Sequence, residues 1–126
     1  MANYYTQLCF EIKLTTDAQR EWWLAPYLTE KLGESGFEFE VASPTAVYIW
    51  SDEFGQVEDL ADFLQGYLTQ VDSDAIITFE WANTCSKMRF DSHGGGCCAV
   101  SATEILWLNT ATAMGDLAKK IKGEKA

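Results

Sequence analysis

Two kinds of hydrophobic periodicity alternate along this chain, and their order limits the fold more than any other sequence feature. The segment "YYTQLCFEIKL" (4–14) places apolar residues at every second position, which is typical of a half-buried β-strand. Three further runs, "FEFEV", "AVYIW" and "AIITFEW", are also rich in β-branched and aromatic residues. Between the third and fourth of these four strands, apolar residues from 57 to 71 recur at helical spacing, which predicts an amphipathic helix.

Another helix is predicted between the first two strands. The tetrapeptide from Thr16 to Gln19 has the pattern of a capping box. Pro26 lacks a backbone N–H, so it is expected to kink this helix or restart it near Leu24. For the longer helix, Asp52 is the predicted N-terminal cap.

The resulting order, β-α-β-β-α-β, predicts an α+β protein with a ferredoxin-like two-layer sandwich. Two short strands and a helix, "TATAMGDLAKKIKG", then add a C-terminal β(β)α extension. In that helix Met114, Leu117 and Ile121 are expected to face inward. The 126 residues suit a single domain, with a core over about 3–82 and the extension over about 83–122.

Negative charge is concentrated in the middle of the chain. The formal net charge is −10, and residues 32–86 contain eleven acids but no Lys or Arg. The C-terminal end is basic, with lysines at 119, 120, 122 and 125. The acidic middle of the chain should repel nucleic acid and anionic membranes and attract basic protein surfaces. Solubility alone is the other explanation for the charge.

The acidic stretch favours a non-enzymatic binding protein without a cofactor. Its expected partner is a basic surface on a nucleic-acid-handling host enzyme, as for anti-CRISPR or anti-restriction inhibitors of phages and mobile elements. Carboxylates along a helix can occupy a groove meant for phosphates, so no direct contact with nucleic acid or membrane is expected. The predicted docking face consists of Glu53, Glu58, Asp59, Asp62, Asp72 and Asp74.

The segment "TCSKMRFDSHGGGCCAV" (84–100) holds an alternative site. Cys85, His93 and Cys97 are the candidate metal ligands, or Cys85 and His93 a nucleophile and base. Cys97 and Cys98 are adjacent, so on a strand they point to opposite faces and cannot easily share one ion. Nothing in the segment marks an oxyanion donor or a third residue that would orient the histidine.

The glycines of this segment also suggest a phosphate cradle. Gly94, Gly95 and Gly96 follow two cations, Lys87 and Arg89. A phosphate loop opens a helix, however, and these glycines lead into a stretch with the character of a strand. The loop motif, which also includes Cys85 and Ser86, is therefore interpreted as a bend that needs positive φ or close backbone approach.

The region from about 79 to 114 resembles a family of small, acidic, uncharacterised proteins of bacteria and their mobile elements. The matching segments are "FEWANTCSKMRFDSHGGG", an apolar strand and "TEILWLNTATAM". The resemblance implies no known reaction. It does imply a motif made of Cys85, Ser86, Lys87, Gly94, Gly95, Gly96, Glu104 and Trp107. His93, Cys97 and Cys98 are peculiar to this chain, which counts further against a metal site.

Two remaining features concern assembly and location. Five tryptophans are many for one small core, so some are expected at a surface, and a homodimer is a third hypothesis. No Lys or Arg precedes Lys13 and polar residues occur by position 6, so no secretory leader is expected. A cytoplasmic protein with four reduced cysteines is therefore predicted.

Overall fold

The computed structural model describes residues 4–85 and 94–123, which form a mixed α+β fold of six antiparallel strands and four helices. The strands are β1 (Tyr4–Lys13), β2 (Glu38–Ser43), β3 (Ala46–Ser51), β4 (Ile77–Cys85), β5 (Gly94–Val100) and β6 (Ile105–Asn109). The helices are α1 (Asp17–Trp23), α2 (Tyr27–Glu34), α3 (Val57–Val71) and α4 (Thr110–Ile121).

All six strands belong to one sheet in the order β2-β3-β1-β4-β5-β6, and every neighbouring pair is antiparallel. The α+β class expected from the sequence is thus confirmed. The predicted extension enlarges the same sheet, because β5 pairs with β4 from Ile77–Val100 to Asn83–Gly94. The boundary expected near residue 82 therefore falls inside a strand.

One hydrophobic core lies between one face of the sheet and the first three helices. Alternate residues of the strands supply one side of this core, including Leu8, Ile12, Val47, Ile49 and Phe79. The helices supply the other side, with Trp23, Leu28, Leu32, Leu60, Leu64 and Leu68. The residues between these strand positions form the outer face of the sheet, where Cys9, Glu11 and Tyr48 are exposed.

The first helical region is divided into two helices at Pro26, which confirms that the proline restarts the helix and does not merely kink it. The capping box is confirmed, since the Thr16 side chain accepts a hydrogen bond from the backbone N–H of Gln19 at 3.2 Å. α1 ends at Trp23, and a new helix begins immediately after Pro26. The proline ring thus starts α2, where its missing N–H costs nothing.

The predicted cap of α3 was wrong. The helix begins at Val57, and the residue before it, Gln56, makes no side-chain capping bond. Asp52 and Glu53 are instead tied to β1 by their backbone carbonyls. The Asp52 oxygen accepts from Gln7 Nε2 at 3.0 Å, and the Glu53 oxygen accepts from the backbone N–H of Thr6 at 2.6 Å.

The inward orientation expected for α4 was also wrong. Met114, Leu117 and Ile121 are 64%, 59% and 88% exposed, and no residue of α4 is buried. The helix follows β6 without a loop and has its main contacts with β5 and β6. Its half-buried side chains are Ala113 and Asp116, on a different side of the helix from the apolar stripe.

Candidate functional site

Three of the predicted docking residues form a compact group at the start of α3. Glu58, Asp59 and Asp62 are all exposed, because the opposite side of the helix supplies Leu60 and Leu64 to the core. Glu58 and Asp59 also lie in the first turn of the helix, near the positive end of its dipole, which stabilises them there. Glu58, Asp59 and Asp62 are called the α3 patch below.

A shallow cavity of about 290 Å³ adjoins the α3 patch at the end of α2. Asp59 accepts a hydrogen bond from Ser35 Oγ at 3.1 Å, which ties the patch to the residue that follows α2. Glu34 lines the same cavity and adds a fourth carboxylate that the predicted face did not include. The one cation in its lining is Lys31, whose Nζ lies 5.9 Å from the centre of the Phe63 ring.

Glu53 is exposed in the turn that precedes α3. Its position is held by the bond from Thr6, and the next residue, Phe54, forms an isolated bridge with the same threonine. The side chain of Glu53 therefore sits on an anchored backbone, although it is separated from the α3 patch by the residues that lead into the helix.

Asp72 and Asp74 lie at the other end of α3. A helix of 15 residues is about 22 Å long, so these two acids do not join the α3 patch. Asp72 is half-buried and accepts a hydrogen bond from Gln19 Nε2 at 3.0 Å. Gln19 is itself buried, and its Oε1 accepts from the backbone N–H of Thr15 at 2.7 Å. Asp72 thus connects the end of α3 to the start of α1.

The outer face of the sheet is a second acidic surface. Glu11, Glu38, Glu40 and Glu80 all project from it and are exposed. Glu38 accepts a hydrogen bond from Trp50 Nε1 at 2.9 Å, which holds its carboxylate beside the indole ring. Strand alternation was the signal in the sequence for this surface, although its residues were not part of the predicted docking face.

Few positive charges balance these surfaces. Residues 4–85 contain fifteen acids and three cations, Lys13, Arg20 and Lys31. Within 4–85 and 94–123 a single ion pair forms, between Arg20 and Asp17. Most of the carboxylates are therefore in contact with solvent and free to meet an external cation.

The three glycines of the loop motif lie at the start of β5, and packing between strands requires a glycine at two of these positions. Gly94 and Gly95 have φ values of 137° and 151°, and a Cβ at Gly95 would overlap the carbonyl oxygen of Trp81. A Cβ at Gly96 would overlap the carbonyl oxygen of Leu108 on the other side. The predicted close backbone approach is confirmed for Gly95 and Gly96, and the predicted positive φ for Gly94 and Gly95.

The cysteines of the alternative site do not converge. Cys97 is exposed and Cys98 is buried, as their adjacent positions on β5 require. Asn83 pairs with Gly94, so strand alternation places Cys85 and Cys97 on opposite faces of the sheet. Burial raises the pKa of the Cys98 thiol to about 11, with a smaller contribution from Cys97. Cys98 is therefore protonated at neutral pH and a poor nucleophile.

The other members of the loop motif, Ser86, Lys87, Arg89 and His93, lie outside the described residues. Among the residues that the structure describes, no three His, Cys, Asp or Glu side chains are grouped as metal ligands. No helix in the same part of the chain has the length and apolar character needed to span a membrane.

Comparisons with protein-family models, with curated proteins and with solved structures gave no match to this chain. The resemblance to a bacterial family that was drawn from residues 79–114 therefore stays a prediction.

Proposed function

We propose that the protein is a non-enzymatic inhibitor that binds a basic surface of a nucleic-acid-handling enzyme through its α3 patch. The observation that carries the proposal is the exposure of Glu58, Asp59 and Asp62 on two turns of one helix. Opposite charge speeds the encounter with a basic groove and disfavours wrong partners.

The spacing of the α3 patch supports imitation of a phosphate backbone. Glu58 and Asp62 are separated by four residues, or about 6 Å along the helix axis. Alternate phosphates on one DNA strand lie about 7 Å apart along the duplex. A groove lined with Lys and Arg for alternate phosphates would therefore find carboxylates at a similar axial interval on a rigid support.

We also propose a ferredoxin-like arrangement for the first four strands and a cytoplasmic location. The order β2-β3-β1-β4, with α1, α2 and α3 contributing to one core, supports a ferredoxin-like arrangement for the first four strands. The partner class implies a cytoplasmic protein, of phage or mobile-element origin. The opposite orientations of Cys85 and Cys97 favour this binding function over a metal-dependent enzyme in which both cysteines are ligands.

The test is a competition assay with DNA. Purified restriction endonucleases and CRISPR effector complexes are incubated with labelled duplex DNA, and the displacement of DNA by this protein is measured at low and high salt. We expect displacement from a susceptible enzyme, weakening steeply as salt rises. The triple variant E58Q/D59N/D62N should compete about tenfold less well, because it removes three interfacial charges.

The matched control is E11Q/E40Q/E80Q, which removes the same number of charges from the outer face of the sheet. It should compete as well as the wild-type protein. Equal weakening by both variants would contradict a role for the α3 patch and would leave net charge as the cause. Displacement that does not change with salt would contradict the electrostatic mechanism itself.

A further inference from the structure

A large apolar surface remains uncovered at the C-terminal end of the fold. Five large side chains are exposed there, namely Leu106 and Leu108 on the outer face of β6 and Met114, Leu117 and Ile121 on α4. Trp107 is also exposed, but it points to the other face of the strand, beside Phe79 and Trp81. Apolar side chains concentrated in this way mark interaction sites, unlike single exposed hydrophobic residues. This surface is separate from the α3 patch and has a different chemistry.

The apolar stripe of α4 does not face its own sheet. Met114, Leu117 and Ile121 follow the i, i+3, i+7 spacing of one helix face. The side chains that are half-buried against the sheet, Ala113 and Asp116, lie about a quarter-turn away from that face. The helix therefore carries an apolar stripe that is typical of packing against another element, but no described residue of this chain covers it.

The neighbouring strand lacks the features that usually protect a sheet edge. β2, at one edge, carries Glu38 and Glu40, and charged residues discourage pairing between molecules. β6, at the other edge, has the sequence "ILWLN" without a charged residue or a proline. The uncovered stripe of α4 thus adjoins an edge that is open to association.

We propose that β6 and α4 form a homodimer interface, in which the α4 helices of two copies pack antiparallel about a two-fold axis. Such an interface must be self-complementary, because each copy contributes the same residues. The apolar stripe meets this requirement. In an antiparallel pair centred near Leu117, Met114 of each copy meets Ile121 of the other.

Charge complementarity favours a second copy as the occupant. The last turns of α4 carry Lys119 and Lys120, and Lys122 follows them, whereas residues 4–85 are strongly acidic. Antiparallel packing brings these lysines to the start of the other copy's α4. A cavity of about 280 Å³ lies there, lined by residues that include Glu80, Leu108 and Ala113. In this packing Ile121 of the second copy lies over this cavity. Lys120 and Lys122, which flank the apolar stripe, then lie beside Glu80.

Light scattering after size-exclusion chromatography, together with sedimentation equilibrium, tests the proposal on the full chain. The wild-type protein should have twice the 14.1 kDa mass of the chain. L117Q/I121Q should be monomeric with an unchanged circular dichroism spectrum, because neither side chain is buried in the single chain. M114Q removes the other partner of the proposed contact between Met114 and Ile121, so it should also weaken the dimer.

The matched control is L24Q/I76Q, which changes side chains that are 65% and 69% exposed elsewhere on the surface. This variant should remain dimeric. A monomeric wild-type protein throughout a concentration series would overturn the proposal. A dimer that persists in folded L117Q/I121Q and M114Q would overturn it equally, since the interface would lie elsewhere.

Substitution of the lysines at the end of α4 tests whether the two α4 helices pack antiparallel. K119Q/K120Q/K122Q should raise the dimer dissociation constant about tenfold. K13Q/R20Q/K31Q makes the same change in net charge away from the interface and should raise it much less. Charge variants are preferable to added salt, because salt also screens the repulsion between two acidic bodies. Equal effects of the two variants would overturn the antiparallel arrangement.

Discussion

At the scale of single residues, Gly95 and Gly96 are among the positions where the described structure leaves no room for a side chain. Gly95 combines a φ of 151° with a close approach to the backbone of Trp81. The glycines therefore let β4, β5 and β6 lie side by side at the end of the sheet. Their role is in packing, and it connects the loop motif to the surface formed by β6 and α4.

We expect Gly95→Ala to lower the free energy of unfolding by about 2–4 kcal/mol, because an added Cβ meets both backbone overlap and an unfavourable φ. The control is Gly66→Ala within α3, where a Cβ would meet nothing within 4 Å. That substitution should raise the free energy of unfolding by about 0.5–1 kcal/mol, because alanine is the better helix former. Urea denaturation measures both, and an unchanged stability in Gly95→Ala would contradict the packing role.

Residue roles could be predicted from sequence where they depend on neighbours along the chain. Strand alternation predicted that Cys97 and Cys98 point to opposite faces, and the capping box at Thr16 needed only four consecutive residues. The bond between Gln19 and Asp72 joins residues 53 positions apart, so no local pattern could reveal it. Asp72 was accordingly assigned to docking, whereas its contact is internal.

At the scale of elements, hydrophobic periodicity identified each helix but not what its apolar face contacts. The stripes of α3 and α4 are similar in the sequence, yet α3 is buried against the sheet and α4 is exposed. The difference arises because α1, α2 and α3 together cover the core face of the sheet. α4 follows directly from the edge strand β6 and does not reach that face. Which surface an amphipathic helix covers is decided by the whole topology.

The hydrogen bond from Gln19 to Asp72 joins α1 to the end of α3. Asp72→Ala should lower the free energy of unfolding by about 1–3 kcal/mol, because it leaves the buried amide of Gln19 without its acceptor. Asp74→Ala removes an equal charge from an exposed neighbour and should change stability by less than about 0.5 kcal/mol. Urea denaturation distinguishes them. A loss of DNA competition without a loss of stability in Asp72→Ala would instead favour the docking role.

At the scale of the whole molecule, the charge distribution works against folding. Fifteen acids and three cations occur in residues 4–85, and few of these charges are paired. Like charges repel more strongly in the compact state than in the extended chain. A protein that keeps this imbalance on its surface loses some stability, which is reasonable if the charge has a binding function. The excess of acidic residues could be predicted from the sequence. Its division between the α3 patch and the outer face of the sheet could not, because it depends on how the elements pack.

This cost is measurable as a dependence of stability on salt. We expect added NaCl to raise the free energy of unfolding in urea by about 1 kcal/mol at constant protein concentration, because counterions screen the repulsion. The stability of E58Q/D59N/D62N should respond less to NaCl than that of the wild-type protein, since this variant removes three of the ten net negative charges. A stability that falls with NaCl would mean that attractive pairs outweigh repulsion. The acids of the α3 patch would then be structural, and a binding function would no longer be needed to account for them.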